Sequence, residues 1–416
     1  MLYTTRNTCR LCEGQLNDII SLGNIYVSTF LDTYDAEGAK IPLDLVSCDL
    51  CGLVQLRHTT SGKVMYDDYW YQSGLNSSMV SALQNIVSNV LDRIHLSDND
   101  IVVDIGSNDG TLLSFYPRYL QKIGFEPSNL ATVDKNKCNT IVNDYFTKET
   151  YEQISNKKAR VITAIAMFYD LENPHTFVQD LYDILDDDGI IVIQMMDLLS
   201  MMKFNDFTNI CHEHLEYYTL KLFEEVLAAH NLQIFDIEYN KVNGGSLRAY
   251  ICKIGKRIKP ARVIEAIQVE TIYFEELGNL GEYLKNMIED VKTKVVTKVN
   301  EINTEGKTVA VMGASTKGNT VLQYFGLTPK DIIHAAEVNP DKFGKYTVGS
   351  GIPIISQQES MRHFVDYYLI LPWGFIDNFV ERNKEYLMSG GAFIVPLPHP
   401  RVITMDAEGN THVELL

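Results

Sequence analysis

Between Ser77 and Ile94 the apolar residues Met79, Leu83, Ile86, Val87, Val90, Leu91 and Ile94 recur at intervals of three and four, so the chain predicts an amphipathic helix there. The pattern then changes to short apolar runs, Ile101 to Ile105, Gln121 to Phe125, Val161 to Ala166 and Ile190 to Gln194, separated by helical patterns. This alternation predicts a parallel sheet with crossover helices. From Val263 to Ile302 the chain has no proline and only two glycines, and charges are interleaved with Ile, Leu, Val and Met, which predicts one or two helices spacing off a new domain. A second strand series follows, Thr308 to Met312, Ile332 to Ala336, Tyr367 to Leu371 and Ala392 to Val395, predicting a second, smaller α/β unit. No apolar run reaches the roughly 18 residues that a membrane span needs.

Four cysteines precede all of this. Cys9 and Cys12 form one CxxC knuckle, Cys48 and Cys51 another, with 35 residues between them and short apolar runs, Leu43 to Val46 and Leu53 to Leu56, beside the cysteines. Two thiolate pairs complete a tetrahedral zinc site with no position left for chemistry, so the ion is expected to hold a small fold together. At 416 residues the chain predicts three domains: residues 1–70 around zinc, 71–258 with the first α/β pattern, and 259–416 with the second. The formal charge of −18 argues against nucleic acid as a partner. The remaining cysteines, Cys138, Cys211 and Cys252, are scattered and make no disulfide framework. With no charged-then-apolar leader before the first knuckle, the expectation is a soluble cytoplasmic protein with no membrane partner, monomeric or weakly self-associating.

The strand Ile101 to Ile105 runs into Gly106-Ser107-Asn108-Asp109-Gly110-Thr111, a turn whose glycines let backbone approach a ligand. Asp104, Gly106 and Gly110 resemble the DxGxxxG first motif of class I S-adenosylmethionine (SAM) methyltransferases, and the resemblance implies that Asp104, Gly106, Asn108 and Gly110 contact the cofactor. Glu126 ends the next strand, where the same resemblance implies an acid on the ribose; a cis diol offers two donors and a carboxylate two acceptors. A nicotinamide-dependent dehydrogenase would also carry an acid there, but the GxGxxG fingerprint is missing.

Cys211-His212-Glu213-His214-Leu215-Glu216-Tyr217-Tyr218 concentrates imidazoles, carboxylates and phenols after a polar loop, Lys203 to Asn209. The histidines stand two apart, which excludes HExxH zinc chemistry. Later, Thr308 to Met312 leads into Gly313-Ala314-Ser315-Thr316-Lys317-Gly318-Asn319-Thr320, again strand, glycine turn and helix, where a helix N-terminus plus Lys317 suits a pyrophosphate. Glu337 stands where a ribose-binding acid would.

Together, the two knuckles, the DIGSNDGT loop, the HEHLEYY segment and the GASTKGNT turn resemble, in order and over the whole chain, the sugar C-methyltransferases that methylate nucleotide-linked 4-keto-deoxyhexoses at C3. That resemblance implies a zinc-binding domain, a class I SAM methyltransferase core with a Rossmann-like sheet, and a C-terminal Rossmann-like domain, with a nucleotide-sugar held between the last two. It places the base that forms an enolate at His214, with Glu213 beside it and His212 behind it or on the sugar. Tyr71, in Tyr69-Trp70-Tyr71-Gln72-Ser73-Gly74, is the matching phenol for the enolate oxygen. Asn243 and Arg248, in Asn243-Gly244-Gly245-Ser246-Leu247-Arg248, fall where the family lines its sugar site, and Ser315, Lys317, Asn319 and Glu337 where it holds the nucleotide. Cys211 departs from the tyrosine that some members carry, and a thiol is a poorer donor. The competing expectations are oxygen or nitrogen methylation of another small molecule, or an assembly protein without catalysis. Trp373, in Pro372-Trp373-Gly374-Phe375, is either an aromatic surface for the ligand or core filler.

Overall fold

The computed structural model describes residues 2–66, 70–131 and 137–416, with the side chains of Tyr66 and Asn243 outside that description. Its central sheet has seven strands in the spatial order Leu232–Asn240, Ser246–Lys253, Leu185–Met195, Ala159–Ile165, Ile101–Ile105, Gln121–Phe125, Thr140–Val142. The last five are parallel and the first two form an antiparallel hairpin at one edge. Ile101–Ile105 is buried along its length, as an inner strand covered on both faces must be. Chain order reverses between it and Ala159–Ile165, which opens a crevice at the carboxyl ends of the strands.

The helix Ser77–Arg93 begins where the Asn76 side chain accepts hydrogen bonds from Ser78 and Met79 N–H groups, and it buries Met79, Leu83, Ile86, Val87 and Val90 in one core with Val102, Val192 and Tyr250. Leu91, expected on that face, lies at its margin and is exposed.

The N-terminal unit is an antiparallel sheet of Leu16–Tyr26, Lys40–Cys48 and Val54–Leu56. A fourth strand, Glu216–Tyr217, comes from the histidine segment: Glu216 pairs with Gln55 and Tyr217 with Val54, and the Leu56 N–H donates to the Leu215 carbonyl at 2.8 Å. A boundary at residue 70 therefore cuts a sheet that is completed by residues far along the chain. The long strand Leu16–Tyr26 escaped the sequence reading because its buried positions follow neither an alternating nor a continuous pattern.

Helices Ala261–Leu277 and Leu280–Thr304, separated at Gly278, lead into a second seven-stranded sheet. Its order is Ile354–Ser356, Ala335–Glu337, Val309–Met312, Tyr367–Ile370, Ala392–Val395, Arg401–Met405, Thr411–Leu415, the first five parallel and the last two antiparallel. The strand expected at Ile332 to Ala336 starts later, because Asp331 closes a turn by accepting from the Thr328 N–H and hydroxyl. Two-residue strands Phe30–Leu31 and Tyr346–Thr347 pair across the N- and C-terminal units. No described helix is long and apolar enough to cross a membrane.

Candidate active site and metal centre

The ligand atoms of Cys9, Cys12, Cys48 and Cys51 lie within 4.8 Å of one another, with sulfur pairs at 3.6 Å (Cys9 and Cys51) and 3.4 Å (Cys12 and Cys48). A tetrahedral ion with Zn–S bonds of about 2.3 Å requires sulfur separations of about 3.8 Å, so the cluster fits zinc. Backbone N–H groups of Leu11, Leu50 and Cys51 point at the sulfurs, and Gln55 Nε2 donates to Cys9 Sγ at 3.1 Å. These donors suit thiolates and orient them. Gln55 also accepts from Arg10 and pairs with Glu216, so the metal centre and the histidine segment share a strand.

A cavity of about 290 Å³ opens at the carboxyl ends of the central strands. Gly106, Ser107 and Asn108 of the first glycine turn line it, whereas Gly110, expected beside the cofactor, is set back against Lys137 and Ile141; Gly106, Asn108 and Gly110 all have positive φ, and the N–H groups of Gly106 and Ser107 bond the Phe125 carbonyl. Glu126, buried at the end of its strand, accepts from the Asn108 N–H at 2.8 Å through one oxygen and from the Ser128 N–H at 2.9 Å through the other. Each oxygen keeps a second lone pair, and the residue lines the cavity, so the carboxylate is aligned for a diol. Asp104 is fully buried and accepts from Thr163 Oγ1 at 2.6 Å; burial pushes its pKa up to about 7.

Asn108 has a further duty. Its amide oxygen accepts from the Ser73 N–H and its nitrogen donates to the Tyr71 carbonyl, while Asp109 accepts from the Gly74 N–H. The segment carrying Tyr71 is thereby stitched to the glycine turn. Tyr71 lines the cavity; the residue as a whole is 39% exposed, but desolvation of its phenol on the cavity wall pushes the pKa up to about 12.

His214 and Glu213 line the same cavity. His214 Nδ1 lies 2.9 Å from the Asn209 carbonyl. A carbonyl only accepts, so Nδ1 carries the proton and Nε2 keeps its lone pair. The imidazole packs against the Tyr169 ring at 4.4 Å between centroids. Burial, then the Lys317 charge, lowers its pKa well below the ordinary value, leaving it neutral. Glu213 and Asp170 are both raised, first by burial, and Asp170 also by the Glu213 charge. Asp170 Oδ1 is buried without a hydrogen-bond partner among the described residues.

Several expected residues lie elsewhere. His212 is buried with its Nε2 donating to the Ile41 carbonyl at 3.1 Å, so it braces the N-terminal sheet and does not line the main cavity. Arg248 is buried on an inner strand, bonded to Gln194, Asn85 and Glu238, because a guanidinium in that position has to be neutralised internally. The side chain of Asn243 lies outside the described residues. Its neighbour Gly244 has φ +89°, and a Cβ there would meet Asp206 and Trp373 at 2.7 Å. The turn is thus a seat for Trp373, which is buried core filler between units.

Around the second glycine turn, Ser315 caps its own helix by accepting from the Gly318 N–H. Asn319 donates to Ser28 Oγ and the Thr29 carbonyl, docking the N-terminal unit. Glu337 accepts from the N–H groups of Ala314, Val338 and Asn339 and pairs with Lys342 at 3.4 Å. Lys317 lines the main cavity and donates to Asn209 Oδ1.

Sequence reasoning missed Tyr169, Asp170 and Asn209. The first two follow the carboxyl end of Ala159–Ile165, a position that could have flagged them. Asn209 had no signal, since it acts on His214 through its backbone carbonyl. The polar loop Lys203 to Asn209 is buried from Asp206 to Asn209, where Asp206 Oδ2 accepts from Asn209 Nδ2 at 2.6 Å.

A zinc binding domain model matches residues 9–66, a methyltransferase domain model residues 79–237, and the C-methyltransferase C-terminal domain model residues 241–398. The chain is 31% identical over 409 residues to the C-methyltransferase NovU of Streptomyces niveus, covering 96% of this chain and 97% of that protein. Among solved structures, the plantazolicin methyltransferase BamL aligns over 42% of this chain and 85% of its own, with 15% identity and a TM-score of 0.33. The mitomycin 7-O-methyltransferase MmcR aligns over 43% of this chain and 55% of its own, with 12% identity and a TM-score of 0.34.

Proposed function

Because the chain belongs to the C-methyltransferase family, with S-adenosylmethionine as its cofactor and zinc in its N-terminal unit, we propose that it methylates C3 of a nucleoside-diphosphate 4-keto-deoxyhexose through an enolate. The observation that carries this reading is the state of His214: a neutral imidazole whose Nδ1–H donates a hydrogen bond to the Asn209 carbonyl, in one cavity with Glu126. Carbon is not nucleophilic until a proton leaves it, whereas an oxygen or nitrogen acceptor already carries a lone pair, so a fixed base favours the carbon reaction.

The bound cofactor supplies an electrophilic methyl group on a sulfonium. Glu126 holds the ribose, and the glycine turn lets backbone approach the rest of the nucleoside. His214 Nε2 removes the proton beside the ketone. Glu213 orients the sugar, and Tyr71 on the cavity wall donates to a sugar oxygen. The acceptor reaches the cavity between the middle and C-terminal units, in a reducing cytoplasm where the four zinc thiolates survive.

The test is incubation of the enzyme with dTDP-, UDP-, GDP- and CDP-linked 4-keto-6-deoxyhexoses in heavy water without a methyl donor, followed by NMR of C3. Wild type washes deuterium into C3 with one of these sugars, and His214→Asn slows the exchange about 100-fold or more while binding SAM equally. Exchange surviving in His214→Asn assigns the base to another residue, and a methyl group found on oxygen overturns the reaction class.

A further inference from the structure

Four carboxyl groups line the cavity, those of Asp104, Glu126, Asp170 and Glu213, and among the described residues a single lysine or arginine does so, Lys317. Only Thr316 and Lys317 come from the C-terminal unit. Resting on the enolate reading above, we infer that Lys317 is a catalytic residue whose ammonium neutralises the enolate oxygen, so that the C-terminal unit completes the reaction centre.

Three observations support this over the diphosphate contact that the turn suggests. The helix N-terminus beside Lys317 is capped by Ser315, and the acid of the second turn is occupied by Ala314, Val338, Asn339 and Lys342. A diphosphate brought to the Lys317 ammonium would carry at least two charges into a wall where burial already drives the Asp170 and Glu213 carboxyls towards their neutral forms, with one cation to balance them. A single oxyanion formed next to one cation suits the same wall.

The second observation is that one residue fixes both partners of the reaction. Asn209 is fully buried; its carbonyl accepts a hydrogen bond from His214 Nδ1–H and its Oδ1 accepts one from the Lys317 ammonium, while its own Nδ2 donates to Asp206. Base and cation are therefore set relative to each other before any ligand arrives, the arrangement that makes electrostatic stabilisation effective. The third is charge, since the other donors beside the base are neutral. The Tyr169 phenol packs on His214, Tyr71 lines the cavity, and the Cys211 thiol, whose sulfur lies within 4.8 Å of His214, is held protonated by burial, so each of these donors is neutral, whereas Lys317 brings a positive charge.

In the step itself, His214 Nε2 takes the C3 proton and the C–H electron pair becomes the C3=C4 bond. The carbonyl π pair moves onto oxygen, where the Lys317 ammonium donates a hydrogen bond. The pair then returns to C4=O as the enolate carbon forms its bond to the methyl group. The methyl–sulfur bond breaks with its electrons kept by sulfur, leaving a neutral thioether, and His214 passes its proton to solvent.

The experiment compares Lys317→Met and Lys317→Arg with wild type for deuterium wash-in at saturating dTDP- and CDP-linked 4-keto-6-deoxyhexose. Lys317→Met should slow exchange about 100-fold or more, as loss of an oxyanion donor does, with the sugar's KM within about threefold, and Lys317→Arg should recover part of the rate. A raised KM with unchanged saturated exchange makes Lys317 a diphosphate contact and overturns the inference. Wild type without exchange sinks the enolate reading and this role with it, whereas equal exchange in wild type and Lys317→Met sinks this role alone. NMR titration of His214 in labelled protein needs no substrate: its pKa should rise in Lys317→Met, and an unmoved value refutes the placement of the ammonium beside the base.

Discussion

The two glycine turns start from similar sequence and end in different use. In the middle unit, Glu126 binds two backbone N–H groups and still faces a cavity of about 290 Å³. In the C-terminal unit, Glu337 binds three N–H groups and an ammonium, Ser315 caps its helix, and Asn319 and Gln323 clasp the N-terminal sheet. A strand, turn and helix with an acid on the next strand is therefore a scaffold whose ligand depends on whether the acid and the helix end are left any unfilled capacity. The second turn became a clasp with one side chain, Lys317, exported to its neighbour.

Removing the metal should separate the two turns most strongly. Structural zinc contributes on the order of 10 kcal/mol or more to small domains, and the N-terminal sheet it supports is held by the second helix, Thr316–Phe325, through Ser28, Tyr26 and Thr29. Cys12→Ala should lose bound zinc by elemental analysis, and hydrogen exchange should quicken in Thr316–Phe325 while Ile101–Ile105 stays protected. Equal loss of protection in both would erase the distinction.

The paired acids give the next largest effect. Glu126→Ala should weaken SAM binding about tenfold or more by titration calorimetry, since a hydrogen bond to a charged group is worth about 1.5–3 kcal/mol. Glu337→Ala should leave SAM affinity within about twofold and cost roughly 3 kcal/mol in urea denaturation, because it strands buried donors and the Lys342 ammonium. SAM affinity lost through Glu337 would mean the second turn also holds a ligand.

The smallest effect separates the turns by pH. Asp104, two residues before the first glycine, has a pKa raised to about 7 chiefly by burial, whereas Val311 stands two residues before Gly313 in the second turn. A carboxyl whose folded pKa exceeds its unfolded one binds more protons when native, so its stabilisation is full below about pH 4 and is lost as pH rises towards 7. Asp104→Asn should flatten that part of the stability profile in denaturation curves taken at pH 4, 5.5 and 7. An unaltered slope would show that Asp104 ionises freely in the fold.

Much of this was legible along the chain because the determinants are local. The Ile101–Ile105 and Gln121–Phe125 strands, the Ser77–Arg93 helix, the four cysteines and the glycine turns each depend on residues within a few positions of one another, where periodicity, thiolate spacing and positive φ act directly. Only the tertiary structure decided that Glu216–Tyr217 would complete the zinc sheet, that Arg248 and His212 would be braces, that Asn209 would set the imidazole tautomer, and that Lys317 would face the histidine. Those outcomes rest on which buried polar groups find partners across distant segments, a competition among hydrogen bonds that the order of residues does not display.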